Sequence, residues 1–76
     1  MIDAEIEQKL VELQDVGNRY NEVELAMRYS AGEPWHVLSQ ERNTLGARYQ
    51  ALCDWFWERN LEVRWDKAER RYRVIS

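Results

Sequence analysis

Cys53 and His36 are the only cysteine and histidine in the chain, and they are the residue types that a catalytic nucleophile and its general base require. The pattern around them predicts one continuous helix, on which their separation in sequence corresponds to about 25 Å. If that helix is continuous, the two side chains cannot meet within one chain. Cys53 follows Leu52 and is typical of a small buried hydrophobic residue. His36, beside Pro34, is typical of a solvated residue at a helix start.

The acidic residues of the first third of the chain do not indicate a metal site. They fall at helical spacings that favour ion pairs, such as Glu5 with Lys9 and Glu24 with Arg28. No Cys or His pair has the spacing of zinc ligands, and three scattered glycines do not form a phosphate-binding loop. We therefore expect no catalytic residue, metal or cofactor, and a chain that is not an enzyme.

Basic residues are concentrated at the end of the chain. Residues 59–76 carry six bases and three acids, whereas residues 1–33 carry eight acids and three bases. Bases interleaved with aromatic residues can follow phosphates and stack on nucleobases. The net charge of −3 opposes binding to nucleic acid, and basic residues also protect an exposed sheet edge. A small DNA-binding regulator that uses the basic C-terminal hairpin therefore remains the alternative hypothesis.

Large aromatic residues are more numerous than a minimal core needs. Trp55, Phe56 and Trp57 are consecutive, and successive residues of a helix point about 100° apart, so the three cannot all face one core. Trp, Tyr and Arg are also the residues that dominate the energetics of protein interfaces. We therefore predict a partner-binding surface, with aromatic anchors and pairing arginines. Its candidate residues are Trp55, Trp57, Arg59, Arg64, Trp65, Arg71, Tyr72 and Arg73.

The first element that would position this surface is a helix over about residues 3–29. Apolar residues recur every three or four positions from Ile2 to Met27, as on one face of a helix. Gly17 falls on this face, and we expect it to allow the close approach of another backbone. Gly32 is expected to end the helix in a left-handed conformation. Pro34 suits the first position of a second, antiparallel helix.

The second helix is predicted over about residues 34–59. Apolar residues from Leu38 to Phe56 share one face at helical spacing. The stretch Ser39 to Thr44 is wholly polar, so the helix could instead begin near Ser39, with that residue as its cap. Asn60 tolerates the left-handed conformation and is expected to end the helix, with Leu61 packing back on the last turn.

The spacing of apolar residues then changes from helical to alternating, which predicts a β-hairpin over about residues 61–75. Pairing Trp65 with Tyr72 places Val63 opposite Val74 and gives one apolar face that can lie on the helices. The same register sets Asp66 opposite Arg71. The predicted fold is α+β: a long antiparallel helical hairpin followed by a C-terminal two-stranded antiparallel β-hairpin, in one domain of residues 1–76.

The size of the chain predicts self-association. A domain of 76 residues buries a small core, and such domains are commonly stabilised by a disulfide, a metal or a partner subunit. A single cysteine excludes an internal disulfide, so we expect a symmetric homodimer, formed through the helix face around Gly17 or through edge strands.

The absence of export and membrane signals completes the prediction. No apolar run has the length of a membrane span, and the N-terminus does not resemble a signal peptide. Together with the lone cysteine, these features predict a cytoplasmic protein without membrane contact. We expect a non-enzymatic adaptor or inhibitor that docks on a protein partner, of the kind that phages and mobile elements encode.

Overall fold

The computed structural model describes residues 3–75 and contains two helices followed by two strands. Helix α1 spans Ala4–Arg28 and helix α2 spans Glu33–Glu58. Strand β1 spans Val63–Asp66 and strand β2 spans Arg71–Val74, and they pair in an antiparallel sheet. The predicted α+β fold, a helical hairpin followed by a β-hairpin, is confirmed.

Helix α1 begins with a side-chain cap and buries the predicted apolar face. The carboxylate of Asp3 accepts a hydrogen bond of 3.0 Å from the backbone N–H of Glu5, which satisfies a free donor of the first turn. Ile2, the first residue of the predicted apolar face, lies outside the described residues. The buried core of residues 3–75 consists of Leu13, Val16, Val23, Met27, Leu45, Leu52 and Phe56.

The role predicted for Gly32, in the connection between the helices, is wrong. Helix α1 ends at Tyr29, whose N–H donates to the carbonyl of Ala26 at 3.1 Å, and the N–H of Ser30 donates to the carbonyl of Met27 at 3.3 Å. Gly32 does have a positive φ, of 67°, but it precedes α2 as its N-cap residue. Glycine is needed there because a side chain disfavours this backbone conformation. The left-handed residue therefore redirects the chain into α2 and does not end α1.

Helix α2 is continuous through the polar stretch, which excludes the alternative start near Ser39. Within this stretch, Glu41 and Arg42 make ion pairs with Arg19 and Glu24 of α1. The guanidinium of Arg19 donates two hydrogen bonds to the carboxylate of Glu41, at 2.6 and 2.9 Å. It also donates one to Glu22 at 3.2 Å. A two-pronged contact of this kind fixes the relative orientation of the two groups.

The ion pairs predicted within α1, Glu5 with Lys9 and Glu24 with Arg28, do not form. Glu24 pairs across the helical hairpin with Arg42 of α2, at 3.7 Å. Lys9 pairs with Glu12, one turn further along α1, at 3.8 Å. The spacing rule considers only partners on the same helix. In the helical hairpin, the antiparallel helix α2 places Arg42 within ion-pair distance of Glu24.

The end of α2 forms as predicted. Asn60 has a φ of 56°, and its N–H bonds the carbonyl of Trp57 at 3.0 Å. The N–H of Leu61 bonds the carbonyl of Phe56 at 3.0 Å. This pair of hydrogen bonds is the Schellman motif, in which a left-handed residue satisfies the last carbonyls of a helix. It also turns Leu61 back against the core.

The β-hairpin has the predicted register, with Trp65 opposite Tyr72 and Val63 opposite Val74. Asp66 lies opposite Arg71, as predicted, but its carboxylate pairs with Arg73. One carboxylate oxygen of Asp66 accepts from the turn N–H groups, and the other accepts from Arg73 at 2.9 Å. The turn draws this carboxylate away from Arg71.

The hairpin is held on the helices by Tyr72. Its hydroxyl lies 3.2 Å from that of Tyr49 in α2. A Cβ atom built on Gly17 of α1 would lie 3.6 Å from the same hydroxyl. The close approach predicted at Gly17 is therefore made by a side chain of β2, and a second backbone does not occupy this position. This part of α1 is covered within the chain.

Candidate functional site

Trp57 lies on the last turn of α2. Of the aromatic residues predicted for the partner-binding surface, it is the most exposed, with 80% of its surface accessible. It borders an open groove of about 530 Å³ between the end of α2 and the β-hairpin. The apolar residues that line this groove include Leu13 of α1, Phe56, Leu61, Val63 and Tyr72. We call Trp57 with Leu61, Val63 and Tyr72 the Trp57 surface.

The helix end determines the shape of this groove. The Schellman motif at Asn60 reverses the chain immediately after α2, so Leu61 and the start of β1 return beside Trp57. Sequence reasoning assigned Leu61 and Val63 to the core. They are half-buried and serve both the core and the groove wall. The apolar residue directly after the helix stop was the signal that could have identified this wall.

Trp55 lies away from the Trp57 surface. Its ring is half-buried, and the guanidinium carbon of Arg59 lies 3.9 Å from the ring centroid. Arg59 also donates a hydrogen bond of 3.0 Å to the Trp55 carbonyl. The Nζ atom of Lys9, in α1, lies 5.7 Å from the centroid of the same ring. Trp55 and Arg59 therefore form a cation–π pair that covers the core.

Trp65 and Tyr72 lie on the face of the hairpin that packs on the helices. Their rings meet edge to face with centroids 5.1 Å apart. Trp65 lies across from Gln14 and Asn18 of α1 and is 45% exposed. Tyr72 is half-buried between Gly17 and α2. Of these two candidate residues, Tyr72 reaches the Trp57 surface.

The candidate arginines of the hairpin project from its opposite, outer face, and each one is paired with a carboxylate. Guanidinium hydrogen bonds to carboxylates are stronger than neutral ones but compete with water when exposed. The contact with Arg73, followed by the turn N–H groups, lowers the pKa of Asp66. The pairs are Arg64–Glu62 at 3.1 Å, Arg71–Glu69 at 2.7 Å and Arg73–Asp66 at 2.9 Å.

Cys53 and His36 lie in different parts of α2. Burial raises the pKa of the half-buried Cys53 thiol, which favours the unreactive protonated form. The hydrogen bond with Tyr72, followed by burial, raises the pKa of Tyr49. His36 packs against Trp35 near the other end of α2, with ring centroids 5.5 Å apart. The continuous helix keeps His36 and Cys53 apart, as predicted.

Residues 3–75 contain neither a metal-binding cluster nor a membrane-spanning helix. No group of three or more His, Cys, Asp or Glu residues there could hold a metal ion. Neither helix in the same range is long and apolar enough to cross a bilayer.

Comparisons of the chain with protein-family models, curated proteins and solved structures find no significant match.

Proposed function

We propose that the chain is a non-enzymatic protein-binding module, an adaptor or inhibitor, that docks on its partner through the Trp57 surface. The observation that carries this proposal is the exposure of Trp57 beside an apolar groove. Tryptophan is enriched at the centres of interfaces, where it is fully desolvated by the partner. Here the ring is exposed in the isolated chain, and the fold gains little from it.

The surroundings of the Trp57 surface match the anatomy of an interface. An apolar centre formed by Trp57 and Leu61 is bordered by polar groups, including Asn60 and Glu62. The Schellman motif and the Tyr49–Tyr72 contact hold its backbone in place. A rigid surface loses little conformational entropy when it binds, which favours affinity. The partner expected here is a folded protein with an apolar projection that fills the groove.

The alternative, a DNA-binding regulator, has weaker support. The outer face of the hairpin carries Arg64, Arg71 and Arg73, but an acidic side chain compensates each of them. Phosphate binding would have to displace these carboxylates, and the net charge of −3 adds repulsion. Binding to nucleic acid would be recognised by its sensitivity to nuclease and to salt.

A symmetric homodimer is part of the proposal, formed through the free edge of β1. The face around Gly17 is covered by Tyr72 and does not offer a route. Antiparallel pairing of two β1 strands about Trp65 would place Arg64 opposite Asp66 of the second copy, which are opposite charges. We also propose a cytoplasmic location, where the free thiol of Cys53 would stay reduced.

The test compares wild type with Trp57→Ala, and Tyr29→Ala serves as the matched control. Tyr29 is 85% exposed and lies at the opposite end of the helical hairpin. Each immobilised protein is incubated with a lysate of the source cells, in parallel with and without nuclease treatment. Proteins retained after nuclease treatment are identified and then purified for a direct binding measurement. We expect Trp57→Ala to weaken binding by more than about tenfold, equivalent to about 1.4 kcal/mol, while Tyr29→Ala binds normally.

Thermal unfolding of the same variants shows whether the folds are comparable. Because Trp57 is exposed, its replacement should leave the melting temperature nearly unchanged. Binding that survives Trp57→Ala would contradict the proposal. Retention that disappears with nuclease, or that falls steeply with salt, would favour the DNA-binding alternative.

A further inference from the structure

A second groove, of about 440 Å³, runs between α1 and the free edge of β2. It is separate from the Trp57 surface, because the two grooves lie on opposite sides of the hairpin and share Tyr72 alone. The residues from β2 and its preceding turn are Arg70, Arg71, Tyr72, Arg73 and Val74, and those from α1 are Glu7, Leu10, Val11 and Gln14.

The hydrogen-bond pattern of the hairpin shows which backbone groups face this groove. The N–H of Ile75 donates to the carbonyl of Glu62 at 3.0 Å, so these opposite residues form a hydrogen-bonded pair. Antiparallel ladders alternate between bonded and non-bonded pairs. The N–H and C=O groups of Tyr72 and Val74 therefore point away from β1. Within residues 3–75 no third strand pairs with this edge.

The floor of the groove has an exposed apolar side chain and a buried oxygen atom that accepts no hydrogen bond from residues 3–75. Val11 is 56% exposed, and Leu10 beside it is half-buried. The Oε1 atom of Gln14 is buried and accepts no hydrogen bond from residues 3–75, while its Nε2 atom donates to Asn18 at 3.4 Å. Buried polar atoms are normally hydrogen-bonded. An occupant that brings apolar side chains and an N–H donor would complete this floor.

The charges around the groove decide which occupant fits. Its β2 wall carries Arg70, Arg71 and Arg73, and Glu7 is the one acid in the α1 wall. Arg71 and Arg73 are paired with Glu69 and Asp66, but residues 62–75 carry five bases and three acids, so the hairpin keeps a net positive charge. A second copy of β2 would bring the same arginines against them, and like charges on adjacent strands are destabilising. An acidic strand would compete with these exposed carboxylates for Arg71 and Arg73, and its charge would be opposite to the net positive charge of the hairpin.

We infer that the free edge of β2 binds an extended acidic segment of a partner protein as a third strand. The backbone of the segment would bond Tyr72 and Val74, as in other proteins that bind peptides by strand addition. Side chains alternate between the two faces of a strand, so carboxylates would lie beside Arg71 and Arg73, and apolar side chains would cover Val11. This inference rests on the proposed function in that it assumes a protein partner, but it uses a different surface.

The probe is a synthetic, dye-labelled peptide of alternating glutamate and valine, about eight residues long, a typical strand length. Its binding is followed by fluorescence anisotropy. A peptide with the same composition but with its glutamates and valines in separate blocks tests the alternation, and a lysine–valine peptide tests the charge. We expect the alternating acidic peptide to bind at least about tenfold more tightly than either control.

The variant that tests the location is Val74→Pro, and Val63→Pro is its matched control. The two valines are opposite each other in the hairpin, and both N–H groups point outward, one at each edge. Proline removes the N–H group and is tolerated at edge strands. Val74→Pro should abolish peptide binding, while Val63→Pro should leave it within about twofold of wild type.

Amide hydrogen exchange on the wild-type protein supplies a measurement that does not depend on the folding of a variant. Peptide binding should slow exchange at Tyr72 and Val74 and leave Val63 and Trp65 unchanged. The inference is overturned if the acidic alternating peptide fails to bind, if the block or lysine peptide binds equally well, or if protection appears at β1.

Failure here is distinguishable from failure of the proposed function. If Trp57→Ala abolishes binding of a purified partner and the acidic peptide does not bind, the protein-binding module stands without strand addition. If the peptide binds and protects Val74 while Trp57→Ala has no effect on any partner, the edge of β2 is the binding site and the Trp57 surface is not.

Discussion

Arg70 adopts a left-handed backbone conformation, with a φ of 55°, at the end of the hairpin turn. This region costs an ordinary L-residue about 1 kcal/mol or more, and glycine adopts it without that cost. Arg70→Gly should therefore raise the free energy of unfolding by up to about 1 kcal/mol, measured by urea denaturation.

Lys67 is the control for this substitution because it lies in the same turn with a negative φ. Lys67→Gly should lower the free energy of unfolding by about 0.5 kcal/mol, since glycine adds flexibility to the unfolded chain. Equal effects of the two substitutions would contradict the role given to the Arg70 backbone.

Gly17 provides a second prediction at a single residue. A Cβ atom there would lie 3.6 Å from the hydroxyl of Tyr72, which is an ordinary contact distance. Alanine is favoured over glycine in a helix by about 1 kcal/mol, so Gly17→Ala should stabilise the protein. Gly17→Leu should destabilise it, because the larger side chain would displace Tyr72 from Tyr49.

Gly46→Ala serves as the comparison for Gly17→Ala, since a Cβ atom at Gly46 would have its nearest neighbour at 4.0 Å, in the Tyr20 ring. Both alanine variants are compared with wild type by urea denaturation. A loss of stability confined to Gly17→Ala would mean that Tyr72 cannot accommodate a methyl group.

At the scale of elements, the pair formed by Arg19 and Glu41 joins the two helices. The hydrogen bond from Arg19 lowers the pKa of Glu41 in the folded state. A group with a lowered folded pKa contributes stability above its unfolded pKa, and that stability is lost as the pH falls through the folded pKa. The wild-type protein should therefore lose stability below about pH 4.3, the usual glutamate value.

Glu41→Gln removes this titrating group and should make stability less dependent on pH in the acid range. Urea midpoints at about pH 7 and about pH 3 measure the difference between the two proteins. Both side chains are partly exposed, so the effect should shrink in about 1 M salt. An unchanged acid profile in the variant would show that Glu41 does not stabilise the helix pair.

Local rules predicted most of the fold from the sequence. Asn60 and the alternation from Leu61 to Val74 determine the helix end and the strand register, because both depend on near neighbours. Gly32 was assigned to the wrong helix because a short connection contains both a stop and a start. The Arg19–Glu41 pair could not be predicted, since it depends on how two helices are aligned.

The candidate site was predictable only in part. The spacing of Trp55 and Trp57 showed that one ring must leave the core, but it did not show which one. In the structure Trp55 is covered by Arg59, and Trp57 is exposed. Local rules also could not predict the carboxylate partners of the hairpin arginines. Asp66 accepts hydrogen bonds from its turn and from Arg73, and this depends on the geometry of the folded hairpin.

At the scale of the whole molecule, the protein is elongated, with extents of 48 × 26 × 16 Å. An elongated chain of this length buries a small share of its surface, which favours association. Light scattering over a dilution series should therefore give a mass near twice 9.2 kDa. Val63→Pro, which blocks the free edge of β1, should halve that mass. A wild-type mass of 9.2 kDa at every concentration would contradict the proposed homodimer.

The contact between Tyr72 and Gly17 has a consequence for the order of folding. It joins positions far apart in sequence, whereas α1 and α2 are joined by a short connection, and contacts between distant positions form more slowly. The helical hairpin should assemble first and the β-hairpin should dock last. Tyr72→Phe, which removes the hydrogen bond to Tyr49, should therefore speed unfolding and leave the folding rate nearly unchanged. The native protein would also visit an undocked form, in which the helices stay paired while Tyr72 withdraws from both grooves.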